Sequence, residues 1–376
     1  MNTTVMDAAP ASGIEETNIR DLLRNSLETV LARHYSFEQR RDAHESAARE
    51  SRAAWAAYAE LGLLALTLPE GHGGFPGSLG DLAMVVETMG GAMVLEPYAA
   101  VMIGARLLAA AGSEDQQAAW LAAICTGAVR IVLAHEEADG GYGRPITAHA
   151  TPDPHGWRLS GRKVAVAGGD TADLFIVSAN TAGGVALFLV PAADLAVRPT
   201  RCFDWTGAAD LLLDDVIVPT AARLTGGEAA LARALDEATA LACADAVGAL
   251  RAANALAREH THTRRQFGRP LDAFQVLQHR LVDMAIAQEL AAPIAAAAIA
   301  ACEADDPTPR ARAVSAAKVK VGESARFIGE QCVQLHGGMG LVQEYPAAHL
   351  FARLGLFELS HGDRNAHLER YAALAL

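Results

Sequence analysis

The hydrophobic period of this chain changes twice, and that double switch limits the folds open to it more than any other feature. From Asn18 to Arg130 apolar residues recur at helical spacing, as in Leu22, Leu23, Leu27, Val30 and Leu31, and again in Trp55, Tyr58 and Leu61 before Gly62. From Ile131 the pattern breaks into short apolar runs at Trp157 to Leu159, Val164 to Ala167, Leu174 to Val177, Val185 to Val190 and Leu211 to Val218. Ser160-Gly161, Gly168-Gly169 and Gly183-Gly184 punctuate these runs as turns. After Gly226-Gly227 helical spacing returns over about Glu228 to His260, Ala273 to Cys302 and Ala311 to Leu335. Ser78 and Ser113 are expected to cap helices, the second in a capping box with Gln116.

The predicted class is therefore α+β, mainly α. A disordered lead (1–17) precedes an N-terminal helical domain (18–130), a middle antiparallel β domain (131–226) and a C-terminal helical domain (227–376). No helix-length segment separates the strands, which disfavours a parallel Rossmann sheet.

At 376 residues the chain can bury a large core without disulfides. Its five cysteines lack CxxC spacing, which points to a reduced, cytoplasmic setting. The start, MNTTVMDAAPASGIEETN, does not read as a signal peptide. No membrane-spanning segment is expected, because the alanine run from Leu290 to Ala301 contains Pro293 and is flanked by Glu289 and Glu303. A formal charge of −13 argues against general nucleic-acid binding, which needs a basic surface.

Two segments carry candidate chemistry. Arg264-Arg-Gln-Phe-Gly-Arg-Pro joins two predicted helices. Its arginines can pair bidentately with a pyrophosphate, and Phe267 and Phe274 offer flat apolar faces. The alternative is a solvated turn. Gln334-Leu-His-Gly-Gly-Met-Gly follows a helix, and its glycines allow close approach of a ligand to the backbone; the alternative is a simple helix C-cap. His260 and His262 do not share a helix face, so no metal site is expected there, and neither GxSxG nor HExxH occurs. Glu136 and Glu137, adjacent at a strand end, face opposite sides and do not form a dyad.

RRQFGRPLDAFQVLQHRLVDMA and QLHGGMGLVQEYPAAHLFAR resemble the two C-terminal signatures of acyl-CoA dehydrogenases. ELGLLALTLPEGHGG and WRLSGRKVAVAGGDTADLFIVSA resemble segments of the family's first and middle domains, so the likeness runs from about residue 18 to 374. Within the family the chain is most similar to the small-subunit branch, such as pimeloyl-CoA dehydrogenase small subunits and actinobacterial steroid side-chain dehydrogenases. The resemblance implies the acyl-CoA dehydrogenase fold, with a C-terminal four-helix bundle, and FAD as cofactor. It places Arg264, Gln266, Phe267, Phe274 and Gln275 against the FAD of a neighbouring subunit and assigns Gln334, Gly337 and Gly338 to a backbone cradle for its adenosine half. A site shared in this way makes oligomerisation part of cofactor binding.

The chain departs from the family pattern in its flavin-ring stretches and at its base positions. Where the family carries TEPGAGSD-like and WIT stretches against the flavin ring, this chain has Ala134-His-Glu-Glu-Ala-Asp-Gly-Gly and Ala165-Val-Ala. Dehydrogenation of a thioester also needs a base, a glutamate in this family, to take the α-proton. Its commonest position falls on His361, followed by Gly362, and the alternative position falls on Ala238. Glu237 and Asp363 are the nearest substitutes, with a helix-start acid and a helix N-cap as their respective alternatives.

The resemblance implies an enzyme that introduces an α,β double bond into an acyl-CoA substrate and passes electrons to an electron-transfer flavoprotein. Its assembly is expected to be a homo-tetramer, or α2β2 with a paralogous partner that supplies the glutamate. The alternatives are a structural subunit that only completes its partner's FAD site and a flavin oxygenase on the same scaffold.

Overall fold

The computed structural model describes residues 12–138, 142 and 145–375. Six helices come first: α1 (Ser12–His34), α2 (Phe37–Glu45), α3 (Arg52–Glu60), α4 (Leu79–Gly91), α5 (Tyr98–Ala111) and α6 (Glu114–Cys125). Helix α1 begins at Ser12, so residues 12–17 of the expected lead are helical, and residues 1–11 lie outside the described residues. The expected caps form. Ser78 accepts from the Asp81 amide and Ser113 from the Gln116 amide, each in a capping box that satisfies two otherwise free amides.

The strands follow: β1 (Ile131–Ala134), β2 (His149–Asp153), β3 (Gly156–Ala167), β4 (Leu174–Thr181), β5 (Gly184–Pro191), β6 (Ala196–Arg201) and β7 (Gly207–Val218). They form one sheet in the order β1-β4-β2-β3-β7-β6, with β5 paired to β4. The sheet is mixed, which corrects the antiparallel expectation. β1 runs parallel to β4 in the register Ile131 to Leu174, and β2 touches β4 in parallel at His149 and Asn180. The hairpin of β2 and β3 supplies the crossover between β1 and β4 where a helix was held to be necessary.

The C-terminal part holds α7 (Gly227–Thr263), the short hairpin β8 (Arg265–Gln266) and β9 (Arg269–Pro270), α8 (Gln275–Cys302), α9 (Pro307–His336), α10 (Pro346–Leu359) and α11 (Arg364–Ala375). Contrary to the sequence expectation, α7 and α8 each contain an 18-residue window long and apolar enough to cross a membrane, with mean hydropathy 1.2 and 1.6. Alanine produces this, and both helices pack in the bundle, where Ala240, Ala253, Ala291 and Ala298 are fully buried. All five cysteines are free.

Helices α4 and α7 cross at glycines. A Cβ on Gly248 would stand 1.9 Å from the Glu87 carbonyl oxygen, and one on Gly90 2.1 Å from that of Asp245. Both obstacles are backbone, so the helices must part to admit a methyl group. Gly248→Ala is expected to destabilise the fold by about 1–3 kcal/mol, read as a lower urea midpoint with unchanged slope.

Candidate functional site

The ends of α7 and α9 meet. The rings of His260 and His336 lie 4.3 Å apart, centroid to centroid, one turn before Arg264 and beside Gly337. On α8, Arg280 donates to Gln331 of α9 at 2.7 Å, one turn from Gln334. The two candidate segments therefore share one end of the bundle.

After Arg264 the chain turns through the β8–β9 hairpin. Phe267 and Gly268, at its tip, have φ of 53° and 81°, the pair of positive values that a two-residue hairpin of right-handed twist requires. This fold presents Phe267 outward, 90% exposed, with its ring 6.2 Å from Phe274. The Arg269 guanidinium lies 4.0 Å over Phe274. Among the described residues, the side chains of Arg264, Gln266, Gln275 and Gln334 make no hydrogen bond within the chain.

Helix α9 ends at Gly337, whose φ of 62° and ψ of −139° suit only glycine. A Cβ on Gly337 or Gly338 would meet nothing within 4 Å, so open space adjoins these amides. Beneath them, His336 Nδ1 donates to the Cys332 carbonyl at 2.7 Å, which leaves Nε2 as an acceptor; it is buried and unpartnered. Exposed guanidinium and aromatic groups, open glycine backbone and an orphaned buried acceptor fit an anionic, aromatic dinucleotide.

The expected base position at His361 is linked through side chains to helix α7 at Asp236. His361 (φ 55°) accepts on its carbonyl from His367 Nε2 at 2.8 Å, and the His367 ring packs 4.7 Å from Tyr142. The Tyr142 hydroxyl lies 3.4 Å from Arg370, and Arg370 pairs at 2.7 Å with Asp236, two residues before Ala238. Neither position holds a free carboxylate. Glu237 is buried and gripped through both oxygens by Arg106 at 2.9 and 3.0 Å, with Arg233 at 3.2 Å. Asp363 accepts from the Ala366 amide at 2.8 Å and caps α11. Burial, then the nearby Lys318 cation, pushes the His361 imidazole down to about 4, so it is neutral and weakly basic at pH 7. Burial likewise lowers Lys318 to about 8; its ammonium donates to the carbonyls of Phe357 and Glu358 at 2.8 and 3.3 Å, at the end of α10.

In the sheet, Ala165 (φ 50°) sits in a bulge of β3, and its amide donates to Asp210 at 3.1 Å. Behind it, fully buried Lys163 donates to Glu137 at 2.6 Å and to Ser178 and the His135 carbonyl at 3.1 Å. Burial opposes ionisation of Glu137, but hydrogen bonds from Lys163 and Thr147 outweigh it and hold the carboxyl down to about 2. Part of the TEPGAGSD-like stretch, residues 139–141, lies outside the described residues.

The sequence reading missed Arg106, Asp236, Arg310 and Arg370. One signal was available. Arg106 is the lone charge in the apolar helix Tyr98–Ala111, and such a charge needs a buried partner.

Residues 14–128 match the acyl-CoA dehydrogenase N-terminal domain, and residues 225–376 match the acyl-CoA dehydrogenase C-terminal domain. Among curated proteins the chain is similar to acyl-CoA dehydrogenase FadE12 of Mycobacterium tuberculosis, at 29% identity over 86% of this chain and 87% of that one. Among solved structures it resembles a variant of the Tcur3481–Tcur3483 steroid ACAD, with a TM-score of 0.87 and 29% identity over 96% of this chain and 98% of that one. It also resembles the ChsE4–ChsE5 complex from Mycobacterium tuberculosis, with a TM-score of 0.88 and 25% identity over 98% of each chain. Matched at both helical domains and along nearly its whole fold, the chain belongs to the acyl-CoA dehydrogenase family of oxidoreductases.

Proposed function

We propose that this chain is one subunit of a cytoplasmic FAD-dependent acyl-CoA dehydrogenase acting on a lipid or steroid side-chain thioester, with electrons passed to an electron-transfer flavoprotein. A paralogous partner in an α2β2 assembly supplies the catalytic carboxylate. The observation that carries the partner is the absence of a free carboxylate among the described residues at both expected base positions, His361 and Ala238, with Glu237 ion-paired and Asp363 capping. The two solved structures named above are each named for two chains.

The chain's own contribution is to the cofactor. Arg264 would pair with the pyrophosphate, Gln266, Phe267, Phe274 and Gln275 would flank the neighbour's FAD, and Gln334 with the amides of Gly337 and Gly338 would hold the adenosine half. When bound, FAD supplies the hydride acceptor for the β-carbon. Exposed apolar residues support assembly: Val276, Val282, Ile286 and Leu290 of α8 are 62%, 55%, 52% and 51% exposed, the last three one turn apart.

The test is to purify the chain alone and with the product of its neighbouring gene, then measure flavin absorbance and acyl-CoA-dependent dye reduction. Activity only in the mixed assembly is expected. A fully active homomer overturns the partner, and hydrogen peroxide or hydroxylated product under air would replace dehydrogenation with oxygenase chemistry.

A further inference from the structure

The two turns that carry the candidate cofactor residues are joined by a pair of imidazoles. His260 stands one turn before Arg264 on α7, and His336 is the last residue of α9 before Gly337. Their rings lie 4.3 Å apart, centroid to centroid, and the Tyr345 ring follows 5.2 Å from His336. His336 is 5% exposed.

This contact suits neutral rings. The one N–H of neutral His336 is spent on the Cys332 carbonyl, 2.7 Å from Nδ1, and Nε2 is buried without a partner. A proton added at Nε2 would create a buried donor with no acceptor and a buried charge against His260. The charges around the pair do not relieve it. Arg264 adds positive charge beside His260, while Glu259 bears on Tyr345 and on neither imidazole. From α8, Arg280 is held by Gln331. The other titratable neighbours, the Tyr345 hydroxyl and the Cys332 thiol, are pushed upward by burial and stay uncharged. Burial also lowers both histidines; the carbonyl at the end of α9 favours a charged His336, but burial outweighs it.

We propose that His260 and His336 form an acid-sensitive latch, which holds the cofactor end of the bundle closed while both rings are neutral and opens it when His336 takes a proton. The new N–H finds an acceptor only in water, so the ring must leave its place, break its bond to Cys332 and carry Gly337 with it. Arg264 and the open backbone at Gly337 and Gly338 then separate. The closed pair binds fewer protons than the open one, so its advantage is complete above the ordinary histidine value of about 6.5 and is lost as pH falls below it. The consequence for flavin rests on the cofactor reading above; the latch itself is a property of the two helix ends.

The test compares the assembled enzyme with His336→Gln, His260→Gln and His262→Gln at about pH 7.5 and about pH 5.5. Glutamine takes no proton and can still donate to the Cys332 carbonyl. His262 is the control, on the same helix but with its side chain 77% exposed and 2.8 Å from Asp272. Two acid-to-neutral ratios are read for each protein, amide hydrogen exchange of residues 334–342 and flavin fluorescence released into solution. Taking each protein against itself removes differences in starting flavin content, and comparing the ratios cancels intrinsic exchange chemistry. Both ratios are expected to be at least about five-fold larger in the unchanged assembly and in His262→Gln than in His336→Gln, with His260→Gln between them. Equal exchange ratios in the unchanged assembly, His336→Gln and His260→Gln overturn the latch. Exchange ratios that differ as expected while no flavin is released keep the latch and remove flavin from this end of the bundle.

Discussion

Replacing Asp204 with alanine is expected to cost the fold about 3–5 kcal/mol, the range for breaking a buried ion pair from one side. Asp204 is fully buried in the loop between β6 and β7 and is the point where all three regions of the chain meet. Its carboxylate accepts from Arg353 of α10 at 3.1 Å and from the amide and hydroxyl of Thr206 at 3.0 and 2.6 Å. Its carbonyl accepts from Arg40 of α2 at 2.8 Å. Arg40 is itself 1% exposed and also binds the Met93 carbonyl at 2.8 Å and His349 Nδ1 at 3.0 Å.

His349 Nε2 faces the Gln343 carbonyl at 2.8 Å, which fixes its proton there and leaves Nδ1 to accept from Arg40. Trp205 completes the clasp, stacked on His44 at 4.2 Å with Arg40 4.9 Å from its centroid. Without Asp204 the loop loses the hydrogen bonds that set its turn. Arg353 would retain Asp245, at 2.6 and 2.9 Å, and the Val94 carbonyl at 3.2 Å, but would lose one of its two carboxylate partners. Asp204→Asn keeps an acceptor for Thr206 and should lose less. Urea unfolding of both variants checks this, and a loss below about 1 kcal/mol for Asp204→Ala would mean that the clasp does not hold the regions together.

The features legible in the sequence are the local ones. The cap at Ser78, the capping box at Ser113, the glycine stop at Gly62 and the period changes near Ile131 and Gly226 each depend on a few neighbouring residues, and the structure has them within a residue or two. Strands β2 and β6 were not legible. Their sequences, HATPD and AVRPTR, carry proline and lack an apolar run, and β6 is a sheet edge, where a proline is tolerated. The parallel pairing of β1 with β4 was hidden for the same kind of reason, since pairing direction is set by partners forty residues away.

The site divides in the same way. The hairpin at Phe267-Gly268 and the open backbone at Gly337 are written in glycine and arginine spacing, so both candidate segments could be found. The buried ion pairs along α7 are written in partners such as Arg106 with Glu237 and Arg370 with Asp236, which stand 131 and 134 residues apart, and no local pattern announces them. Glu237 illustrates the consequence. As a sequence position it is the nearest carboxylate to Ala238, and only the coordinates show both of its oxygens already taken by Arg106.

In the assembled enzyme, Arg264→Ala and Gly338→Val are each expected to weaken flavin retention by about ten-fold or more while leaving the fold intact. Arg264 is exposed and its side chain has no hydrogen-bond partner among the described residues of its own chain, so its removal costs little stability. A guanidinium paired with pyrophosphate makes charge-assisted hydrogen bonds of roughly 1.5–3 kcal/mol, which correspond to about ten-fold to a hundred-fold in affinity. Gly338 isolates the steric half of the argument. A Cβ there meets nothing within 4 Å, so valine is accommodated by the folded chain and obstructs only what comes from outside it. Both variants therefore separate a cofactor role from a folding role. The measurement is flavin absorbance per mole of this chain after desalting, set beside the thermal midpoint. Full flavin content in both variants would remove the bundle end from the cofactor site, whereas loss in both at unchanged midpoint would place a flavin against Arg264 and Gly338 together, two turns whose helix ends meet where the His260 and His336 rings lie 4.3 Å apart.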